Sequence, residues 1–244
     1  MAHKRVLITG AAGRIGQVLH AGLRDRYQVR LMYHRTVLPT APGEEVVVGN
    51  IADLAAMEQA AAGIDAIVHL AGDPRVSAPW EDILEANIRG VYAVYEAAHR
   101  QGVRRVVFAS TNHVTGYYER EGTFTRPDMP ARPDSYYGAS KAFGEDLGRY
   151  YADAFGLGVV CLRIGSFQPD EAVTGRRSDR ILSTWLSHRD CVQLVWRGIE
   201  AEGVRFGIYY GISGNTRACW DLANARADLG YAPEDDAERL ACSS

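Results

Sequence analysis

The chain has 244 residues, 47% of them hydrophobic and 23% charged, with a formal net charge of −3. That length suits one α/β domain, and the lack of a basic excess argues against nucleic acid or an anionic membrane surface as a partner. The four cysteines, Cys161, Cys191, Cys219 and Cys242, form no CxxC pair and no apolar run reaches the roughly 18–20 residues of a membrane span, so neither a disulfide framework, a zinc site nor a bilayer segment is expected.

In chain order, "MAHKRVLITG" goes straight into a strand with no cleavable signal pattern, which reads as a cytoplasmic protein. After the strand "RVLITG" (5–10) comes helical spacing over 14–26, then strand patterns at 28–33, 45–50, 65–72, 105–111 and 158–165. Helical stretches near 53–62, 81–101 and 137–155 lie between them. Short, continuously apolar strands are expected in a parallel sheet buried on both faces. Alternation with helices implies right-handed βαβ units. The expected fold is a doubly wound parallel Rossmann sheet over 1–165, with a small substrate-binding region over 166–244.

"TGAAGRIG" places Gly10, Gly13 and Gly16 between the first strand and the first helix. Gly10 permits the tight turn, Gly13 admits a pyrophosphate to the backbone, and Gly16 lets the helix pack closely on the sheet. A plain turn would need only one of them. Dinucleotide folds carry an acid near the end of the second strand for the ribose hydroxyls. Here that position reads Tyr33-His34-Arg35. Arg35, with His34, suits a 2′-phosphate, which favours NADP over NAD; the alternative is a solvated loop arginine.

"SYYGASKAFGE" (135–145) offers two tyrosines to one lysine. Tyr137 and Lys141 are four residues apart and share a helix face, whereas Tyr136 does not. A phenol titrates near pH 10, and an ammonium within about 4–6 Å lowers that value. Tyr137 is thus the candidate base, and Gly138, Ala139 and Ser140 are expected to leave room for a flat ligand. YxxxK alone is common; its position downstream of a dinucleotide loop gives it weight. The seven histidines show no HExxH motif and no His/Cys cluster, so no metal is expected.

With these motifs in place, the chain resembles the extended short-chain dehydrogenases/reductases, the NAD-dependent epimerase/dehydratase family. "GAAGRIG", "HLAG" (69–72), Asn87 in "EANIRG", "FAST", "YGASK" and "DLGYAP" (228–233) fall in that family's order. More narrowly, "STNHVTGYY" (110–118), "ARPDSYYGASKAFGE" (131–145), "LRIGS" (162–166) and "RILSTWLSHRD" (180–190) are similar to blocks of the uronate dehydrogenases.

The resemblance implies a third catalytic hydroxyl, which counting back from Val114-x-Gly116 puts at Thr111, where the family usually has serine. It implies that Ala12, Arg14, Ile15, Asn50, Ile51, Leu70, Ala71, Gly72, Asn87 and Ile164 join the glycines, Tyr137 and Lys141 around the cofactor. It implies that Ser110, Asn112, His113 and Ser166 reach the substrate, although alternation along the strand turns the Ser110 side chain away from Thr111. Arg180 would hold the substrate carboxylate as a planar fork, with Arg176 and Arg177 as competitors. The implied reaction moves a hydride from C1 of a cyclic uronate, glucuronate or galacturonate, to NAD(P). The expected partner is a small sugar acid, with a homo-oligomer left open. Alternatives are a neutral-aldose dehydrogenase, a nucleotide-sugar epimerase or dehydratase, and an NADP-binding redox sensor.

Overall fold

A computed structural model describes residues 3–174 and 179–242. β1 (Arg5–Thr9) leads into α1 (Arg14–Leu23), followed by β2 (Gln28–Tyr33), β3 (Glu45–Val48), α2 (Leu54–Ala61) and β4 (Ala66–His69). α3 (Trp80–Ile83) continues through a π-helical turn at Leu84–Arg89 into α4 (Gly90–Arg100). β5 (Arg105–Thr111), a 3₁₀ turn at Asn112–Thr115, α5 (Gly116–Arg120), α6 (Tyr136–Phe155) and β6 (Gly158–Ile164) come next. The remainder holds β7 (Ser166–Phe167), α7 (Asp179–Thr184), β8 (Trp185–Leu186), α8 (His188–Glu200), β9 (Phe206–Gly211), α9 (Ala223–Leu229) and α10 (Ala237–Cys242).

Seven strands form one sheet in the order β3-β2-β1-β4-β5-β6-β9, and every neighbouring pair is parallel. The chain moves outward from β1 to β3, then crosses back to β4 on the other side of β1. That reversal opens a crevice beyond the carboxyl ends of β1 and β4, where open α/β sheets bind ligands.

Strand alternation fills both faces. Val6 and Ile8 pack with Leu19, Leu23, Val107 and Leu194 on one face; Leu7 packs with Val94, Tyr95, Val106 and Phe108 on the other. α6 is bounded by local chemistry. The Ser135 hydroxyl accepts from the Gly138 amide at 3.1 Å, and Gly156 closes the helix at φ 73°.

The region after residue 165 contributes to the sheet as well as packing on it. β9 pairs with β6 from Val159↔Phe206 to Ile164↔Gly211, and α8 packs on α1. β9 escaped the sequence because Gly207 and Gly211 interrupt it and its first three residues are only half-buried at the sheet edge. β7 and β8 pair outside the main sheet, and Val173, Leu182, Trp185 and Ala237 form a small core of their own. No helix among the described residues is long and apolar enough to cross a membrane.

Candidate active site

A cleft of about 1340 Å³ runs along the carboxyl ends of the strands. At one end it is lined by Gly10, Ala12, Gly13, Arg14, Ile15 and Gly16. Gly10 has φ +70°, and a Cβ there would lie 2.8 Å from the Ala71 amide nitrogen. A Cβ on Gly16 would lie 2.5 Å from the Gly10 carbonyl oxygen, so the helix can approach the turn only without one. α1 starts at Gly13 with no side-chain cap and no acid in its first turn, which leaves its N-terminal potential to the cleft. Thr9 fixes the floor: its hydroxyl meets His69 Nδ1 at 2.8 Å and accepts from the Leu70 and Ala71 amides at 3.3 Å. Burial holds His69 down to a pKa of about 3, with Lys141 adding to the effect, so the ring is neutral.

The wall beyond β2 carries His34 and Arg35, both exposed. Neither makes a side-chain hydrogen bond or ion pair among the described residues. Asn50, Ile51, Leu70, Ala71 and Gly72 continue the lining, and Ile164 closes the far side. Asn87 lies beside this lining with its amide engaged inside the fold. Its Oδ1 accepts from the Asp73 amide at 2.7 Å, and its Nδ2 donates to the Asp73 carbonyl and the Ser140 hydroxyl, each at 3.1 Å. The π-helical turn buries it beside the cleft, where it fastens the loop after β4 to α6.

Tyr137 and Lys141 both face the cleft, while Tyr136 is 59% exposed and lies edge-on to Trp80. The helix-face assignment therefore holds. The electrostatic expectation does not. Burial raises the Tyr137 pKa, the Thr111 hydroxyl bonded to it offsets part of the rise, and the Asp73 charge adds to it. Lys141 Nζ sits 5.8 Å from the Tyr137 ring centre and 4.8 Å from that of Phe108. Burial lowers the lysine itself to about 8. Its ammonium makes no hydrogen bond among the described residues. A buried cation that rests on aromatic rings without a hydrogen-bond acceptor, and opens on the cleft, fits the ribose hydroxyls of a nicotinamide cofactor.

The small residues of "YGASK" serve packing rather than ligand space. A Cβ on Gly138 would lie 2.3 Å from the His113 carbonyl oxygen, and Ser140 donates to the Tyr137 carbonyl at 2.7 Å.

Thr111, Asn112, His113, Ser166 and Arg180 line the same cleft as Tyr137. Thr111 ends β5 and caps the following turn by accepting from the His113 amide at 3.3 Å. His113 is edge-on to Tyr137 at 5.9 Å. Asp134 accepts from His113 Nδ1 at 2.9 Å, which leaves Nε2 for the cleft. Arg180 donates from Nη1 to Ser166 Oγ at 3.0 Å and from Nε to Glu119 Oε1 at 2.6 Å. Ser110 borders the cleft as well. Its hydroxyl donates to Glu145 Oε1 at 2.6 Å, on the face opposite Thr111, inside a buried Glu145–Arg163 pair. Arg176 and Arg177 lie outside the described residues.

Sequence reasoning missed Asp73, which lines the cleft and raises the tyrosine, and Glu119, which holds Arg180 and Asn112. Neither belongs to a periodic or spaced motif, so only their tertiary partners reveal them. Among the described residues no three His, Cys, Asp or Glu side chains converge to hold a metal ion.

Comparison with known proteins matches residues 6–201 to a model of the NAD dependent epimerase/dehydratase family. The chain is 44% identical to a uronate dehydrogenase of Pseudomonas putida over 236 residues, 96% of this chain and 85% of that protein. It is 40% identical to an NAD-dependent glucose-6-phosphate dehydrogenase of Haloferax volcanii over 248 residues, 95% of this chain and 93% of that protein. It is also similar to the crystal structure of a mutant uronate dehydrogenase from Agrobacterium tumefaciens complexed with NAD. There the TM-score is 0.89 at 41% identity, over 98% of this chain and 87% of that one.

Proposed function

The chain belongs to the NAD dependent epimerase/dehydratase family, and from that premise we propose that it is a dehydrogenase oxidising C1 of a cyclic hexuronate, glucuronate or galacturonate, to the aldarolactone. The observation that carries the reading is the pairing of two groups across one cleft: the Thr111–Tyr137–Lys141 cluster and the Arg180 guanidinium. The likeness to the uronate dehydrogenases supports it.

In this reading the Tyr137 oxygen takes the proton of the anomeric hydroxyl, and the Thr111 hydroxyl holds that same oxygen beside it. A bound nicotinamide supplies the acceptor for the C1 hydride; loss of proton and hydride together leaves the lactone carbonyl. Lys141 holds ribose hydroxyls and stabilises the phenolate against the burial that raises its pKa. His113, oriented by Asp134, and Asn112 bind sugar hydroxyls. Arg180 grips the C6 carboxylate from the terminal nitrogens left beside Glu119, which fixes the rotation of the sugar and hence the direction of C1.

NAD is an acceptor by likeness to the complexed relative. NADP is the acceptor favoured by this chain's own residues, because the end of β2 offers an unpaired Arg35 and no acid. Arg35→Ala is expected to weaken NADP binding by about 1.5–3 kcal/mol and NAD binding much less. Equal losses for the two, measured by fluorescence titration, or a strong wild-type preference for NAD would reject that choice.

The substrate is tested with Arg180→Lys, which keeps the charge and loses the planar fork. The expected result is a fall of at least tenfold, about 1.4 kcal/mol, in kcat/KM for glucuronate, with the slow oxidation of glucose nearly unchanged. A parallel fall on both sugars would make Arg180 a structural residue and remove the carboxylate clamp.

A further inference from the structure

Glu119 does not line the cleft, yet it bonds to two residues that do. On α5 its Oε1 accepts from Arg180 Nε at 2.6 Å and its Oε2 accepts from Asn112 Nδ2 at 3.1 Å. The two partners come from distant parts of the chain, the turn after β5 and the short helix α7. Arg180 needs such a tie. Its side chain is half-exposed on a helix of six residues, and an untethered arginine of that length samples many rotamers.

A guanidinium has five N–H donors in one plane. Glu119 engages the Nε donor and Ser166 engages one on Nη1, at 3.0 Å. Two anchors on different elements fix the plane. Three donors remain, and they include one or more on each terminal nitrogen, which is what a two-point grip on a carboxylate requires. The same glutamate holds the Asn112 amide by its nitrogen, so its oxygen stays available to a sugar hydroxyl. Glu119 therefore orients a cation and an acceptor together.

We propose that Glu119 is a positioning residue that presets Arg180 and Asn112 for an acidic sugar, a role that rests on reading Arg180 as the carboxylate clamp. Its charge also stands near the bound carboxylate, but from behind the guanidinium rather than within the cleft. Orientation is the larger effect.

The test is the kinetics of wild type, Glu119→Ala and Glu119→Gln with glucuronate and glucose, and of Glu119→Ala in an Arg180→Lys background. Glu119→Ala is expected to raise KM for glucuronate at least tenfold and leave kcat within about threefold, because the reacting end is untouched. Its kcat/KM for glucose, which meets Asn112 but offers Arg180 no carboxylate, should fall several-fold less than that for glucuronate. Glu119→Gln should fall between, since it keeps one acceptor oxygen and puts an NH2, which cannot accept, where the second stood. In the Arg180→Lys background Glu119→Ala should cost less than it does in wild type, because one of the two groups it positions is gone. Cofactor affinity unchanged in both variants shows that each is folded. A wild type that oxidises glucose as readily as glucuronate would overturn the reading of the site and this role with it. A wild type that prefers glucuronate, with an unchanged or lower KM in Glu119→Ala or an equal loss on both sugars, would overturn this role alone.

Discussion

Lys141 and Arg163 are both cations buried against α6, and their surroundings are opposite. Arg163 lies on β6 with 2% of its side chain exposed and meets Glu145 through two bonds, Nε to Oε1 at 2.9 Å and Nη2 to Oε2 at 2.7 Å. Ser110 completes the carboxylate's shell. Burial acts to lower the arginine's pKa, but Glu145 more than offsets it and the value lies above the usual one. Lys141 is one helical turn before Glu145, at the spacing where a lysine and a glutamate pair on a helix face. It makes no such bond. Arg163 and Ser110 hold the carboxylate, and the ammonium is left to the cleft with its pKa lowered to about 8.

The difference separates burial that is structural from burial that is functional. A buried ion pair with its lone pairs satisfied tolerates its surroundings, and breaking it strands a charge. A buried cation with aromatic rings but no carboxylate or hydrogen-bond acceptor beside it keeps a desolvation cost, the pattern found where a ligand completes a site. Strand alternation makes the division: Ser110 faces Glu145, Thr111 faces Tyr137, and one step along β5 changes structure into chemistry.

Removing the reactive group at the open end should have the largest effect. Tyr137→Phe deletes one oxygen and is expected to lower kcat by about 10²–10⁴-fold, the usual contribution of a positioned proton acceptor. Cofactor affinity should stay within about twofold, since the ring remains. Tyr136→Phe, at an exposed ring on the other face, should retain most activity. Equal losses in steady-state assays of the two variants would contradict the helix-face assignment.

The closed end should answer in stability instead. Glu145→Ala leaves the Arg163 guanidinium buried without its carboxylate and is expected to destabilise the fold by about 3–5 kcal/mol. It also removes a carboxylate that could compete for Lys141, so the surviving folded enzyme should still bind cofactor. Urea unfolding reads the first and fluorescence titration the second. A loss below 1 kcal/mol would mean that Arg163 finds another partner.

Much of this was legible in the sequence, and for a definite reason. The glycine turn, the apolar strands and the Tyr137–Lys141 spacing are local patterns, set by backbone geometry that repeats wherever the elements occur. Six of the seven strands were legible as short apolar runs; the edge strand β9, broken by Gly207 and Gly211, was not. Likeness to a family brought Arg180, Asn112, Ser166 and Ser110 to the lining of the cleft but left the packing of the Ser110 and Asn87 side chains unread. Both side chains are engaged by other side chains of this fold, Ser110 by Glu145 and Asn87 by Ser140. The lowered tyrosine pKa was misjudged because spacing shows a neighbour and not its solvent: desolvation outweighs a cation nearly 6 Å from the ring. Glu119 carried no pattern, since its partners are 7 and 61 residues away.

The smallest effect on stability is the one that most sharpens the contrast, because its sign is unusual. Lys141→Met should abolish efficient turnover and yet make the protein more stable at neutral pH. The folded lysine titrates at about 8, and an unfolded one near 10.4. Below pH 8 both states carry the proton, and the native state bears the full penalty of a buried ammonium. Between pH 8 and about 10.4 the unfolded chain binds more protons than the folded one, so wild-type stability from this group rises with pH across that window. Methionine fills similar space with no charge and removes the penalty, which is about 1–3 kcal/mol at pH 7. The advantage of Lys141→Met over wild type should therefore be largest below pH 8 and fade toward pH 10.5. Unfolding in urea at pH 7 and pH 10 measures both ends. A variant less stable than wild type at pH 7, or a difference that ignores pH, would mean that the ammonium is stabilised within the apoprotein, and the contrast with Arg163 would dissolve.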